Sequence, residues 1–151
     1  MALGGTPHEF KVGGRKLYTW CAWDTLFLPE LIGKDATVRS RSAVTGELIT
    51  LEVTADGATS PSPDVVVSFV DPEVCDVEGN QIIWSFCHHI LFLSSREEGE
   101  AWVAEQGDGT YLLSLQEAFE LGRTCNALRY GSALASESTA TAFLAANCSA
   151  P

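Results

Sequence analysis

Cations are scarce in this chain. Nine lysines and arginines stand against 20 aspartates and glutamates, a formal net charge of −11, which would repel nucleic-acid phosphates and an anionic membrane face alike. Neither nucleic acid nor membrane is an expected partner. The first residues, MALGGTPHEFKVGG, hold no basic segment followed by an apolar core, and no later window approaches the roughly 18 apolar residues of a membrane span. The sequence therefore reads as soluble and cytoplasmic. No CxxC spacing is present, and the five cysteines, Cys21, Cys75, Cys87, Cys125 and Cys148, are an odd number without close pairing. Free thiols are expected, with neither a disulfide framework nor a CxxC-type zinc knuckle.

What is present is enough for one domain: 151 residues with 46% hydrophobic content can bury a real core but cannot supply two. Residues 1 to 15 read as an N-terminal arm, with Gly13-Gly14 as a turn between two short extended pieces. Dense aromatic and apolar residues predict a helix over about 20 to 31, which Pro29 should kink or end and Gly33 should stop. ATVRSRS (36 to 42) and ELITLEVT (47 to 54) alternate apolar with polar residues around Thr45-Gly46 and predict a hairpin. DGATSPSPD (56 to 64) is a loop by composition, VVVSFV (65 to 70) an inner strand, and DPEVCDVEGN a second, acidic loop. IIWSFCHHILFL (82 to 93) reads as a buried strand from its length and β-branched start. Capping boxes at Ser95 to Glu98 and Ser114 to Glu117 open helices running to about Gln106 and Tyr130. The tail, 131 to 151, is small and weakly periodic, a loosely packed helix or a partly disordered segment. Together these predict an α+β domain: a mixed or antiparallel sheet from the strands near 36 to 93, packed by helices.

Two places could carry chemistry. In TWCAWDTLFLPELIG, a helix would put Cys21 and Asp24 on one face with about 5 to 6 Å between Cβ atoms, so that a thiol and a carboxyl address one bound atom. Proximity to the helix N-terminus would draw the thiol toward a thiolate. The plain alternative is a buried cysteine beside a helix-capping aspartate. In SFCHH, Cys87 stands before His88 and His89, a thiolate and imidazoles suited to Hg, Cu(I) or Zn. Neighbours on a strand point to opposite faces, so both histidines cannot line one site, and a buried structural cysteine is the plain reading. The same geometry disfavours a Cys–His hydrolase. Cys75, in the acidic loop, and Cys125, on the last helix, read as lightly packed thiols.

The run RKLYTWCAWDTLFLPELIG, then VRSRSAVTGELITLEVT, VVVSFVDPE, SFCHHILFLSS and LLSLQEAFELG, resembles in order and spacing the catalytic domain of the organomercurial (alkylmercury) lyases. The resemblance spans about residues 7 to 123, implying a catalytic domain over 16 to 130 and the same α+β class. It implies that Cys21 and Cys87 bind mercury as thiolates while Asp24 shuttles a proton to the departing carbon. The substrate would be an organomercury compound, with no bound cofactor, external thiols as co-substrate, and Hg(II) left on Cys21, Cys87 and Asp24. Low-molecular-weight thiols or a mercuric reductase would then remove the ion. The residue chemistry agrees, since mercury is the softest candidate ion and a dithiolate its best ligand set. An acid desolvated by Trp20, Trp23 and Phe27 could hold a proton near neutral pH. The competing expectation is a non-catalytic protein that holds Hg or Cu for transfer with the same three side chains. Family members carry an N-terminal helical domain ahead of the catalytic one, whereas this chain is expected to begin almost at the latter. His88 stands where the family often has another cysteine, and the tail with Cys148 does not align.

Overall fold

The computed structural model describes residues 5–71 and 86–147, with side chains described up to residue 131. Two antiparallel sheets carry the chain. The first is built from β1 (Glu9–Val12), β2 (Arg15–Tyr18), β3 (Ala36–Arg41), β4 (Leu48–Val53) and β5 (Ala58–Thr59), in the order β2-β1-β3-β4-β5. Gly13 and Gly14, at φ +54° and +76°, form the two-residue loop between β1 and β2, a type I′ geometry whose twist matches the strands and whose positive φ at both positions glycine adopts without strain. The hairpin expected around Thr45-Gly46 is β3 with β4, in the register Val38↔Leu51 and Ala36↔Val53. Its alternation decides the faces: Phe10, Val12, Val38, Leu51 and Val53 are buried, while Lys11, Arg39 and Glu52 face outward.

The second sheet is β6 (Val66–Val70) between β7 (Phe92–Leu93) and β8 (Thr110–Ser114). Every residue of β6 is buried, as a run that is apolar except for Ser68 predicts for a central strand. Three α-helices complete the described residues: α1 (Asp24–Ile32), α2 (Arg96–Gln106) and α3 (Leu115–Asn147). The class is α+β, with two antiparallel sheets where one was expected.

The Ser114 capping box forms in full, and at Ser95 the Glu98 carboxylate reaches back one residue further, to the Ser94 N–H. Ser95 Oγ accepts the Glu98 N–H at 3.1 Å, and Ser114 and Glu117 bond reciprocally at 3.2 and 2.7 Å. The Glu98 carboxylate also accepts from Ser94, Ser42 Oγ and the Thr45 N–H, tying the start of α2 to the β3–β4 turn. Gly33 stops α1 as expected: at φ +68° it lets its own N–H reach Glu30 O and that of Lys34 reach Pro29 O. Pro29 lies inside α1 rather than ending it. The last helix runs 17 residues past its expected end at Tyr130, to Asn147, through an alanine-rich stretch without proline. Helix α3 packs on α1, where Asn126 Nδ2 donates to Phe27 O and Glu30 Oε2.

The largest departure concerns residues 82 to 93. Residues 82 to 85, with Cys75 and Cys148, lie outside the described residues, but Cys87–His89 is a single 3-10 turn and only Phe92–Leu93 is strand. Neighbouring side chains there do not alternate between two faces of a sheet, so the argument that set His88 apart from Cys87 on that ground does not hold.

Candidate active site

Helix α1 begins at Asp24, not at residue 20, so Cys21 precedes the helix instead of sharing its face. The two side chains meet for another reason. Trp23 caps the helix without a side-chain bond, and Asp24 turns its carboxylate backward, where Oδ2 accepts the Trp20 and Cys21 N–H groups at 3.1 and 3.2 Å. Two hydroxyls brace the same loop: Thr19 Oγ1 donates to Cys21 O at 2.9 Å, and Thr25 Oγ1 to Ala22 O at 2.7 Å. Both threonines are fully buried, which is affordable because each hydroxyl has a partner.

The second thiol arrives from the other sheet. In the turn after Phe86, the His89 N–H reaches Phe86 O at 2.9 Å and the Ile90 N–H reaches Cys87 O at 3.2 Å. The Ala22 N–H then donates to Ile90 O at 3.1 Å, a backbone link between the Cys21 loop and the Cys87 turn. Ser68, on β6, grips the far side of the turn: its Oγ donates to His89 O at 2.6 Å and accepts from the Leu91 N–H at 3.0 Å.

Cys21, Asp24 and Cys87 therefore converge, in unequal surroundings. Cys21 is 1% exposed, and the sulfur of Cys87 as hydrogen-bond partner, burial and the nearby Asp24 carboxylate all push its thiol well above the ordinary range. Cys87 is half-buried and moves the opposite way, lowered by the bond from Cys21. The Cys21 thiol donates and Cys87 ionises first. Burial raises the Asp24 carboxyl against the pull of its hydrogen bonds from Cys21 and Trp20, the direction expected for an acid among aromatic rings. The rings are not those expected throughout. Trp23 packs edge-on against Phe27, Phe69 and Phe86 with centroids at 5.1, 5.4 and 6.3 Å, held by Nε1 donating to Ala118 O at 2.9 Å. Trp20, expected as a wall, is 44% exposed.

Among the described residues no three His, Cys, Asp or Glu side chains form a cage for a metal ion. A soft ion held between two thiolates needs no such cage. His88 is exposed and His89 half-buried, and Cys125 is a partly buried free thiol on α3. What sequence reading missed is the bracing: Ser68, Thr19, Thr25 and the Ala22–Ile90 link. Of these only Ser68 left a signal, as the one hydroxyl in VVVSFV.

The alkylmercury lyase family model, MerB, matches residues 1–126. The chain belongs to the alkylmercury lyase family. The alkylmercury lyase of Bacillus cereus is 43% identical over 124 residues, covering 82% of this chain and 55% of that protein. That of Pseudomonas putida is 42% identical over 123 residues, covering 81% and 56%. Among solved structures, the mercury-bound form of MerB2 superposes with a TM-score of 0.66 at 30% identity, over 79% of this chain and 57% of that one. This chain thus spans about half the length of the alkylmercury lyases it matches. Among the described residues no helix is long and apolar enough to cross a membrane.

Proposed function

We propose that this chain cleaves the carbon–mercury bond of organomercury compounds by protonolysis, with Cys21 and Cys87 as mercury ligands and Asp24 as proton carrier. The observation that carries this reading is the convergence of two thiols, one buried and one partly exposed, beside a desolvated carboxyl that caps the Cys21 loop. Cys87, half-exposed and lowered, meets the substrate as the thiolate and displaces the thiol or halide that accompanies the organomercury cation. Cys21 follows, and as its sulfur bonds to mercury its proton passes to Asp24, whose carboxylate already accepts the Cys21 N–H. The Asp24 carboxyl returns that proton to carbon as the carbon–mercury bond breaks. One thiol and one thiolate enter, and hydrocarbon, the displaced anion and a dithiolate of Hg(II) leave, so protons and charge balance. Burial serves this step because a carboxyl with a raised pKa holds the proton until the carbon takes it.

No bound cofactor is required. External thiols exchange onto Hg(II) and regenerate the site, with a mercuric reductase as the downstream acceptor, and the cytoplasm as the compartment that keeps Cys21 and Cys87 reduced. The test is incubation with methylmercury and excess thiol, following methane and inorganic mercury. Cys21→Ser, Cys87→Ser and Asp24→Asn should each lower turnover by about 10²-fold or more, the usual size of a lost proton-transfer or nucleophilic group. Stoichiometric mercury binding without methane would instead make the chain a soft-metal carrier.

A further inference from the structure

The antiparallel register of β6 with β7 pairs Val66 with Leu93 and Val67 with Phe92, so a straight ladder would next pair Ser68 with Leu91. Only half of that pair forms through the backbone, the Ser68 N–H reaching Leu91 O at 3.0 Å. The Leu91 N–H goes instead to Ser68 Oγ at 3.0 Å, and the same hydroxyl donates to His89 O at 2.6 Å. A hydroxyl can do both at once, with one proton and two lone pairs, whereas no apolar side chain of that size can do either. Ser68 is fully buried, so no water is at hand to replace it.

We propose that Ser68 is a positioning residue for Cys87: its hydroxyl replaces the ladder bonds of a continuing strand and holds the turn that brings the Cys87 sulfur to Cys21. Its consequence for turnover rests on the lyase reading above; its consequence for the approach of the two sulfurs does not. The hydroxyl touches neither sulfur. It acts through the His89 carbonyl and Leu91 amide, which flank Ile90, whose carbonyl is bonded to the Ala22 N–H of the Cys21 loop. Each side of the site is thereby referred to the central strand of the second sheet.

The test is capture of phenylarsine oxide, which condenses with two neighbouring thiols to form two As–S bonds and release water. It is done in a background with Cys75, Cys125 and Cys148 changed to serine. Ser68→Ala should weaken capture by about tenfold or more, since a displacement near 1 Å in a reacting group has effects up to about 10²-fold. Ser68→Thr, which keeps the hydroxyl, should recover most of it. Val38→Ala, a core change in the other sheet, should lower the melting temperature and leave capture unchanged. A folded Ser68→Ala protein that captures as the parent does would overturn the proposal, as would an equal loss in Val38→Ala. Should Ser68→Ala not fold, amide exchange of the parent decides: Leu91 must be strongly protected, and exchange at the rate of an open amide would overturn the bridge. Absence of methane from the wild-type chain, with capture still dependent on Ser68, would sink the lyase reading alone.

Discussion

Replacing His8 with phenylalanine should remove most of the acid sensitivity of this fold between about pH 6.5 and 4. The His8 ring is 2% exposed, its Nδ1 lies 2.8 Å from Ser40 Oγ, and its edge meets Phe92 at a centroid distance of 6.0 Å. Burial disfavours the imidazolium and lowers the pKa from 6.5 to about 4. Over that interval the unfolded chain binds the proton and the folded chain does not, so stability is complete above 6.5 and falls until the pH reaches about 4. At about 1.4 kcal/mol per pH unit the loss amounts to about 3 kcal/mol, or roughly 6 to 12 °C in melting temperature for a chain of this size. Three carboxyls complicate the acid limb, Glu117 being lowered by its bonds from Ser114. Glu98 acts lower, between 4.5 and about 2, and Asp24 has the opposite sign, its raised value favouring the folded state as pH falls. Thermal melts at pH 7.5, 6, 5 and 4, for the wild type and His8→Phe in an Asp24→Asn background, isolate the histidine. Phenylalanine strands the Ser40 hydroxyl, a cost of about 1 kcal/mol that is the same at every pH. An unchanged slope between pH 6.5 and 4.5 in His8→Phe would refute the assignment.

Three further outcomes are expected. In Gly122→Ala the added methyl would stand 2.7 Å from Phe27 Cβ and 3.3 Å from Trp23 Nε1. The overpacking, about 1 to 3 kcal/mol, should exceed the roughly 1 kcal/mol that alanine gains over glycine in a helix; a urea midpoint above wild type would contradict so close an approach of α1 and α3. Burial raises the Glu98 carboxyl, but the bonds from Ser42, Ser94 and Thr45 outweigh it and leave the pKa at about 2. Glu98→Gln should therefore cost about 1.5 to 3 kcal/mol at neutral pH and little near pH 2, read from denaturant midpoints at both. Iodoacetamide at pH 7 should alkylate Cys87 before Cys21, and peptide mapping that finds Cys21 first would reverse the order of thiols in the proposed reaction.

The elements that could be read from sequence are those whose signal is local. The β3–β4 hairpin, the inner strand β6, the two capping boxes and the Gly33 stop each follow from a few adjacent residues whose period or turn chemistry admits one geometry. The turn at Cys87–His89 does not. Its apolar surroundings suit a strand, and what bends it is a hydroxyl about 20 residues away on β6, a tertiary bond with no local trace in SFCHH. Asp24 stands beside Cys21, but not through the shared helical face that the spacing predicts: the carboxylate meets Cys21 by capping the loop before the helix. Helix α3 outran its expected end because the tail lacks apolar periodicity but has nothing to stop a helix once the Ser114 box has started one.

The opening of α1 after rather than before Cys21 changes what the protein can do with its acid. Had the thiol and carboxyl shared a helical face, both would have met the solvent or the core together and titrated alike. Instead the carboxylate reaches back under the loop, so that one oxygen accepts the Trp20 and Cys21 N–H groups and its charge stands near the buried thiol. The proton released when Cys21 binds a soft cation has a base at hand, and burial has already raised that base toward accepting it. In the proposed reaction the reserve of acidity is thus generated by ligand binding itself, and only Cys87, on the turn that Ser68 holds, must begin as a thiolate. A site of two equivalent exposed thiolates would bind mercury as well but would release both protons to water before the carbon needed one.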